Sequence, residues 1–169
     1  SGKIYIQTTT RNTSTNEQRE QGCKEAIQAT SGAVKLVGLE YDNDSTTIAA
    51  LQMAAVLQHV SDLSGVFGTN VFSAEGAAQA IKKANKQGLI KVASFDAPEQ
   101  AIVDLRNGVI DLVIAQKPAD IGRIAVDYAV KALQGQTDNL QKRVVTGYVI
   151  IDKMNVDTPT AQDAIYKNA

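Results

Sequence analysis

Tryptophan is absent from this chain, and cysteine and histidine each occur once, as Cys23 and His59. A lone cysteine excludes an intramolecular disulfide and leaves the redox compartment unassigned. Cys23 falls on an apolar helix face and reads as a small buried hydrophobe. His59 falls at a helix end, away from the expected ligand rim, and reads as a solvated surface histidine. A Ser-His-Asp arrangement would need it at the site, and no GxSxG elbow supplies the serine. Neither GxGxxG nor GxxxxGK[ST] occurs, so the two common phosphate-cradling loops are missing. No apolar run approaches the roughly 20 residues of a membrane span. Aromatic residues make up only 5% of the chain, so a ligand pocket must work mainly with polar side chains. Seventeen Lys and Arg stand against eighteen Asp and Glu, a formal net charge of -1 that argues against a nucleic-acid surface. The basic cluster Lys82-Lys83-Ala84-Asn85-Lys86 has no interleaved aromatics and reads as a solvated helix face. Asp42-Asn43-Asp44 has the look of a calcium loop, but Thr47 occupies the glycine position and Met53 the bidentate glutamate position. It reads as turn and cap chemistry instead. No metal site, cofactor or activated nucleophile is expected.

What is present is a regular alternation. The 169 residues, 44% of them hydrophobic, suffice for one domain with a real core. Lys3 to Gln7 reads as a strand from the outset, which leaves no room for a signal peptide. The polar run from Thr8 to Thr13 is too hydrophilic for a core element. Ser14-Thr15-Asn16-Glu17 matches a capping box with Ser14 as N-cap, and Cys23, Ala26, Ile27 and Thr30 form the buried stripe of the first helix. Strands are predicted over 34–41, 65–69, 89–95, 112–115 and 144–151. Ile48, Leu51, Ala55 and Val56 are the predicted inner face of the second helix, and Ala77, Ala80, Ile81 and Ala84 that of the third. The fourth helix carries Ile102 and Leu105. Pro118 opens a fifth helix with a broad apolar surface formed by Ile121, Ile124, Ala125, Tyr128, Val130 and Leu133. The tail from Asp152 to Ala169 includes a short helix after Pro159. Alternating strands and helices imply a doubly wound three-layer α/β fold with a parallel sheet. The expected strand order is 2-1-3-4-5, followed by a C-terminal strand.

That order opens a crevice at the carboxyl ends of the first and third strands. It gathers the stretch from Thr8 to Arg19, Asn70 to Ser73, Asp96 and Gln116 on one rim. The third strand enters this rim through Gly65-Val66-Phe67-Gly68-Thr69-Asn70 and leads directly into a helix. Arg19, Asn70, Asp96 and Gln116 are all planar, and each offers two hydrogen-bonding positions. Vicinal sugar hydroxyls present donors and acceptors at matching spacing, whereas Asp44 and Asp96 would repel a phosphate. Each residue also has a plainer reading. Asp96 and Asn70 could cap helices, Arg19 could pair with Glu40 or Asp42, and Gln116 could be a solvated loop residue.

The segments Val66-Phe67-Gly68-Thr69-Asn70 through Gly76-Ala77, Val92-Ala93-Ser94-Phe95-Asp96-Ala97, and Ile114-Ala115-Gln116-Lys117-Pro118 through Ile121-Gly122 resemble type I periplasmic binding proteins of sugar ABC transporters. The ribose-binding group is the most similar, and Asn16-Glu17-Gln18-Arg19-Glu20-Gln21-Gly22 is similar to that family's Arg-x-x-Gly helix start. The resemblance covers essentially the whole chain but only the family's second half. It implies one lobe, 1–169, of a two-lobed protein whose first lobe is absent, and Ser1-Gly2 suggests an excised or truncated lobe. In that family the lobes close over a sugar and the bound form docks on a membrane permease. The resemblance assigns ligand contacts to Asn70, Asp96, Gln116 and Arg19, with Asp44 and Arg11 as further candidates. The place of Asp44 often holds an aromatic ring in ribose binders; here it is an acid.

The resemblance thus implies non-catalytic binding of a monosaccharide or polyol by a periplasmic or extracellular protein, anchored as a lipoprotein in a Gram-positive source. The effector lobe of a lactose-repressor-type regulator is the alternative within the same fold. The helix from Pro118 to Leu133 would lose the cover of the first lobe. It is expected to fold back, dimerise or exchange between chains.

Overall fold

Twelve elements alternate along the chain in the computed structural model, which describes residues 1–167. They are β1 (Gly2–Thr8), α1 (Ser14–Gln28), β2 (Val34–Tyr41), α2 (Thr46–His59), β3 (Leu63–Gly68), α3 (Val71–Lys83), β4 (Lys91–Phe95), α4 (Glu99–Arg106), β5 (Leu112–Gln116), α5 (Pro118–Leu133), β6 (Tyr148–Asp152) and α6 (Pro159–Ala164). One six-stranded sheet has the order β2-β1-β3-β4-β5-β6. The first five strands pair in parallel, and β6 adds to β5 antiparallel. The doubly wound order inferred from alternation is therefore present. The sheet is mixed because the chain returns after α5 without a crossover to a parallel neighbour. The last two residues of the expected tail, 168 and 169, lie outside the described residues.

Burial alternates along β4 and β5, one face covered and the other only partly, while in β3 the adjacent Gly65 and Val66 are both buried. Val66, Val92, Val113 and Ala115 point into the core with Ala74, Ala77, Ile81, Ile102 and Leu105. This is the face under α2, α3 and α4. Close approach of α2 and α3 depends on Gly76, where a Cβ would sit 2.4 Å from the Thr46 carbonyl oxygen and 2.5 Å from Ala49 Cβ. On the opposite face, α1 leaves an open groove of about 760 Å³ floored by Ile4, Phe67, Ala93, Phe95 and Ile114.

α5 does not cover that groove. None of its residues is buried, and Ile121, Val126, Val130 and Leu133 are exposed. The expected fold-back of this helix is thus not what the chain adopts. The partly open face also explains Cys23, which is half-buried where full burial was expected.

Two further expectations fail locally. The capping box does not form: Thr13 is the N-cap of α1, without a side-chain cap bond, and Ser14 is already helical. The Thr13 hydroxyl is instead 3.0 Å from that of Thr10. The buried residues of α1 are polar, Asn16 and Glu20, while Ala26 of the expected stripe is exposed. In α2 the inner face is Ala49 and Met53; Leu51 is 67% exposed, and Ile48 and Ala55 are exposed too. The apolar residues of α2 are spread around the helix without a single apolar face, so packing selects the buried side.

Candidate functional site

The carboxyl ends of β1, β3, β4 and β5 form one rim, and a buried polar layer supports it. Thr69 Oγ1 lies 2.8 Å from Thr8 Oγ1, which donates 2.9 Å to Glu20 Oε1. Asn16 Nδ2 donates to Thr9 Oγ1. Thr8 and Thr9 are thereby buried, contrary to the expectation that this run stays outside the core. Their hydroxyls find partners on α1, which removes the cost of burying them. Beside them the Asp42 carboxylate accepts from Ser73 Oγ at 2.6 Å and Gln7 Nε2 at 3.2 Å. Burial nonetheless pushes the Asp42 carboxyl above the ordinary aspartate range, against those hydrogen bonds.

Asn70 follows β3 and caps α3, its Oδ1 accepting from the Ser73 amide at 2.9 Å. The capping role is real, but it uses only the carbonyl; the amide Nδ2 donates to Asp44 Oδ1. Gly68 permits this geometry, since a Cβ there would lie 2.5 Å from the Ala74 nitrogen. Asn43 and Asp44 adopt φ of 53° and 63°, and the Asp44 amide donates 2.9 Å to Asp42 Oδ1. The turn reading of this segment therefore holds, and it delivers Asp44 to Asn70.

Asp96 and Gln116 form the second pair. Gln116 Nε2 donates 2.5 Å to Asp96 Oδ1, joining the ends of adjacent strands β4 and β5. Asp96 does not cap α4, whose N-cap is Pro98 without a side-chain bond. Its φ of 70° is uncommon outside glycine and places the side chain at the rim.

Arg19 is fixed on the neighbours of both pairs. Its Nη1 donates 2.8 Å to the Thr69 carbonyl, next to Asn70, and its guanidinium carbon lies 3.6 Å from the Phe95 ring centroid, next to Asp96. Burial lowers the Arg19 pKa, while the Asp96 charge opposes that shift. The surface ion pair with Glu40 or Asp42 is not formed among the described residues. Arg11 stands apart, 4.5 Å from the centroid of Tyr41 at the end of β2. It makes no hydrogen bond or ion pair with the other five candidates among the described residues.

Two participants were not foreseen. Phe95 is an aromatic surface at the rim, hidden in sequence because it also continues the apolar pattern of β4. Tyr166 reaches the rim from the tail: its hydroxyl donates 3.0 Å to Asp96 Oδ1 and accepts from the Gln116 amide at 3.2 Å. Burial first, and then the Asp96 charge, push the Tyr166 phenol up to about 12. A tyrosine 70 residues from its partner carries no local signal of that contact. Chemically the rim offers planar donors and acceptors backed by one aromatic face, which suits hydroxyl-rich ligands.

Comparison with known proteins fits this geometry. The D-allose-binding periplasmic protein of Escherichia coli is 33% identical over 117 residues, covering 69% of this chain and 37% of that protein. The ribose import binding protein of Haemophilus influenzae is 34% identical over 125 residues, 73% of this chain and 41% of that protein. An ABC transporter solute binding protein from Agrobacterium vitis, solved with alpha-D-tagatopyranose, superposes with a TM-score of 0.94 at 37% identity, covering 99% of this chain and 55% of that one. A second from the same organism, solved with D-fucose, gives 0.90 at 28% identity, covering 98% of this chain and 56% of that one. The chain thus spans about half the length of these proteins or less. Residues 1–137 match the family described as periplasmic binding protein domain. By that match, and by the shared fold, this chain belongs to the periplasmic binding protein domain family.

Proposed function

We propose that this chain is the sugar-binding lobe of the substrate-binding component of an ABC-type sugar transporter, corresponding to the second, C-terminal lobe of a two-lobed protein. It holds a monosaccharide or polyol without catalysis, in the cleft between lobes, and works outside the cytoplasmic membrane with a permease. The observation that carries this reading is that the Asn70–Asp44 and Asp96–Gln116 pairs stand on one sheet edge, with Arg19 fixed on Thr69 and Phe95, the neighbours of Asn70 and Asp96. Asp96 Oδ2 and Gln116 Oε1 are free of hydrogen bonds among the described residues, so both can accept from sugar hydroxyls. The relatives' names and ligands, which are allose, ribose, tagatose and fucose, support a monosaccharide as the ligand class. These relatives are transport binding proteins, which favours the transporter reading over a repressor lobe. Arg11, standing on Tyr41, is a peripheral contact in this reading.

The test is calorimetric titration of the full-length gene product with D-ribose, D-allose, D-tagatose and D-fucose. Asn70→Ala and Asp96→Ala should each weaken the tightest of these by about 1–3 kcal/mol, the cost of leaving buried partners unpaired. Unchanged affinity in both variants would refute the site.

A further inference from the structure

The tail beyond β6 does more than close the chain. Ala161 and Ala164 of α6 are buried in the core, and two residues later Tyr166 is attached to the rim three ways. Its amide donates 2.9 Å to the Ala97 carbonyl, directly after Asp96. Its hydroxyl donates to Asp96 Oδ1 and accepts from the Gln116 amide. One phenol therefore ties together the ends of β4 and β5 at the two residues that the functional reading places against the sugar. Asp96 has a positive φ of 70°, a conformation less favourable for aspartate than for glycine, and the contacts from Tyr166 help to hold it there.

We propose that Tyr166 is a positioning residue of the sugar site, and that the C-terminal tail is thereby a working part of that site. This rests on the reading of Asp96 and Gln116 as sugar contacts. Two consequences follow for the site's chemistry. Tyr166 donates to Oδ1, so the carboxylate is held by one oxygen while Oδ2 faces the ligand. It also anchors the Gln116 main chain, so the side-chain amide that donates to Asp96 Oδ1 is held at its root as well. Specificity for hydroxyl geometry depends on both being fixed before the ligand arrives.

Tyr166→Phe removes the hydroxyl and leaves the ring, the buried alanines and the main-chain bond to Ala97. The full-length gene product, wild type, Tyr166→Phe and Asp96→Ala, is titrated with D-ribose, D-allose, D-tagatose and D-fucose. In parallel, amide hydrogen exchange is followed at positions 116 and 166. Asp96→Ala should weaken the tightest sugar at least about tenfold, and Tyr166→Phe about fivefold to tenfold. In Tyr166→Phe, the Gln116 amide should exchange faster while the amide at 166 keeps its protection. A merely structural tail would not separate these two amides. If Asp96→Ala weakens binding and Tyr166→Phe binds like wild type, the positioning role is wrong and the sugar site stands. Loss of protection at both amides would show a detached tail and would also overturn the proposal. If Asp96→Ala has no effect, Asp96 is not a sugar contact, and if none of the four sugars binds, the functional reading fails; in either case the role of Tyr166 fails with it.

Discussion

Arg19 lies against Phe95 with its guanidinium carbon 3.6 Å from the ring centroid, while the same group donates to the Thr69 carbonyl. These two contacts come from neighbouring strands and hold one half-buried cation in a single orientation. A planar guanidinium can stack and donate at once; an ammonium cannot. Arg19→Lys should therefore weaken monosaccharide binding by the full-length gene product by about 1–2 kcal/mol, the worth of a partly desolvated cation–π contact. Calorimetry checks it, and affinity equal to wild type would remove Arg19 from the site.

Gly76 and Gly22 should respond oppositely to the same substitution. A Cβ at Gly76 collides with backbone and Ala49 of α2, so Gly76→Ala must push α2 and α3 apart, at about 1–3 kcal/mol. Gly22 in α1 has open space around it, and Gly22→Ala should stabilise by about 0.4–1 kcal/mol through the unfolded chain. Urea unfolding of both variants gives the comparison, and equal signs would contradict the helix packing described above.

The uncovered stripe of α5 makes a prediction about association. With Val126, Val130 and Leu133 exposed at i, i+4 and i+7 on one helix face, the 169-residue chain alone should self-associate at high concentration. Val126→Lys with Val130→Lys should abolish association without lowering the unfolding midpoint, because neither residue is buried. Sedimentation velocity decides; a monodisperse unsubstituted monomer would show that the stripe needs no partner.

Tyr166 predicts an alkaline effect. Its folded pKa is raised, to about 12, above the ordinary value of 10.0, so between these values the folded state keeps a proton that the unfolded chain has lost. Stability must then fall as pH rises through that window, and the contribution is fully present below pH 10. Tyr166→Phe should lose less stability than wild type between about pH 10 and 12. Thermal unfolding across that range measures the difference, and parallel curves would place Tyr166 in water.

Much of this fold is legible without coordinates because its signals are local. Apolar runs of strand length, helical stripes such as Ile102 and Leu105, and turn residues at Asp42–Ser45 each follow from nearest neighbours along the chain. Alternation of these elements then restricts the topology to a doubly wound sheet, and the topology puts Asn70, Asp96 and Gln116 on one edge. What the linear order does not contain is pairing at a distance. Which side of the alanine-rich α2 turns inward, that Thr8 and Thr9 are buried because α1 supplies Asn16 and Glu20, that α5 leaves its own sheet uncovered, and that Tyr166 crosses 70 positions to Asp96 were all decided by tertiary packing. The periodicity of a chain reports which residues prefer to be buried. Only the folded neighbours determine against what, and which polar groups can afford to join them.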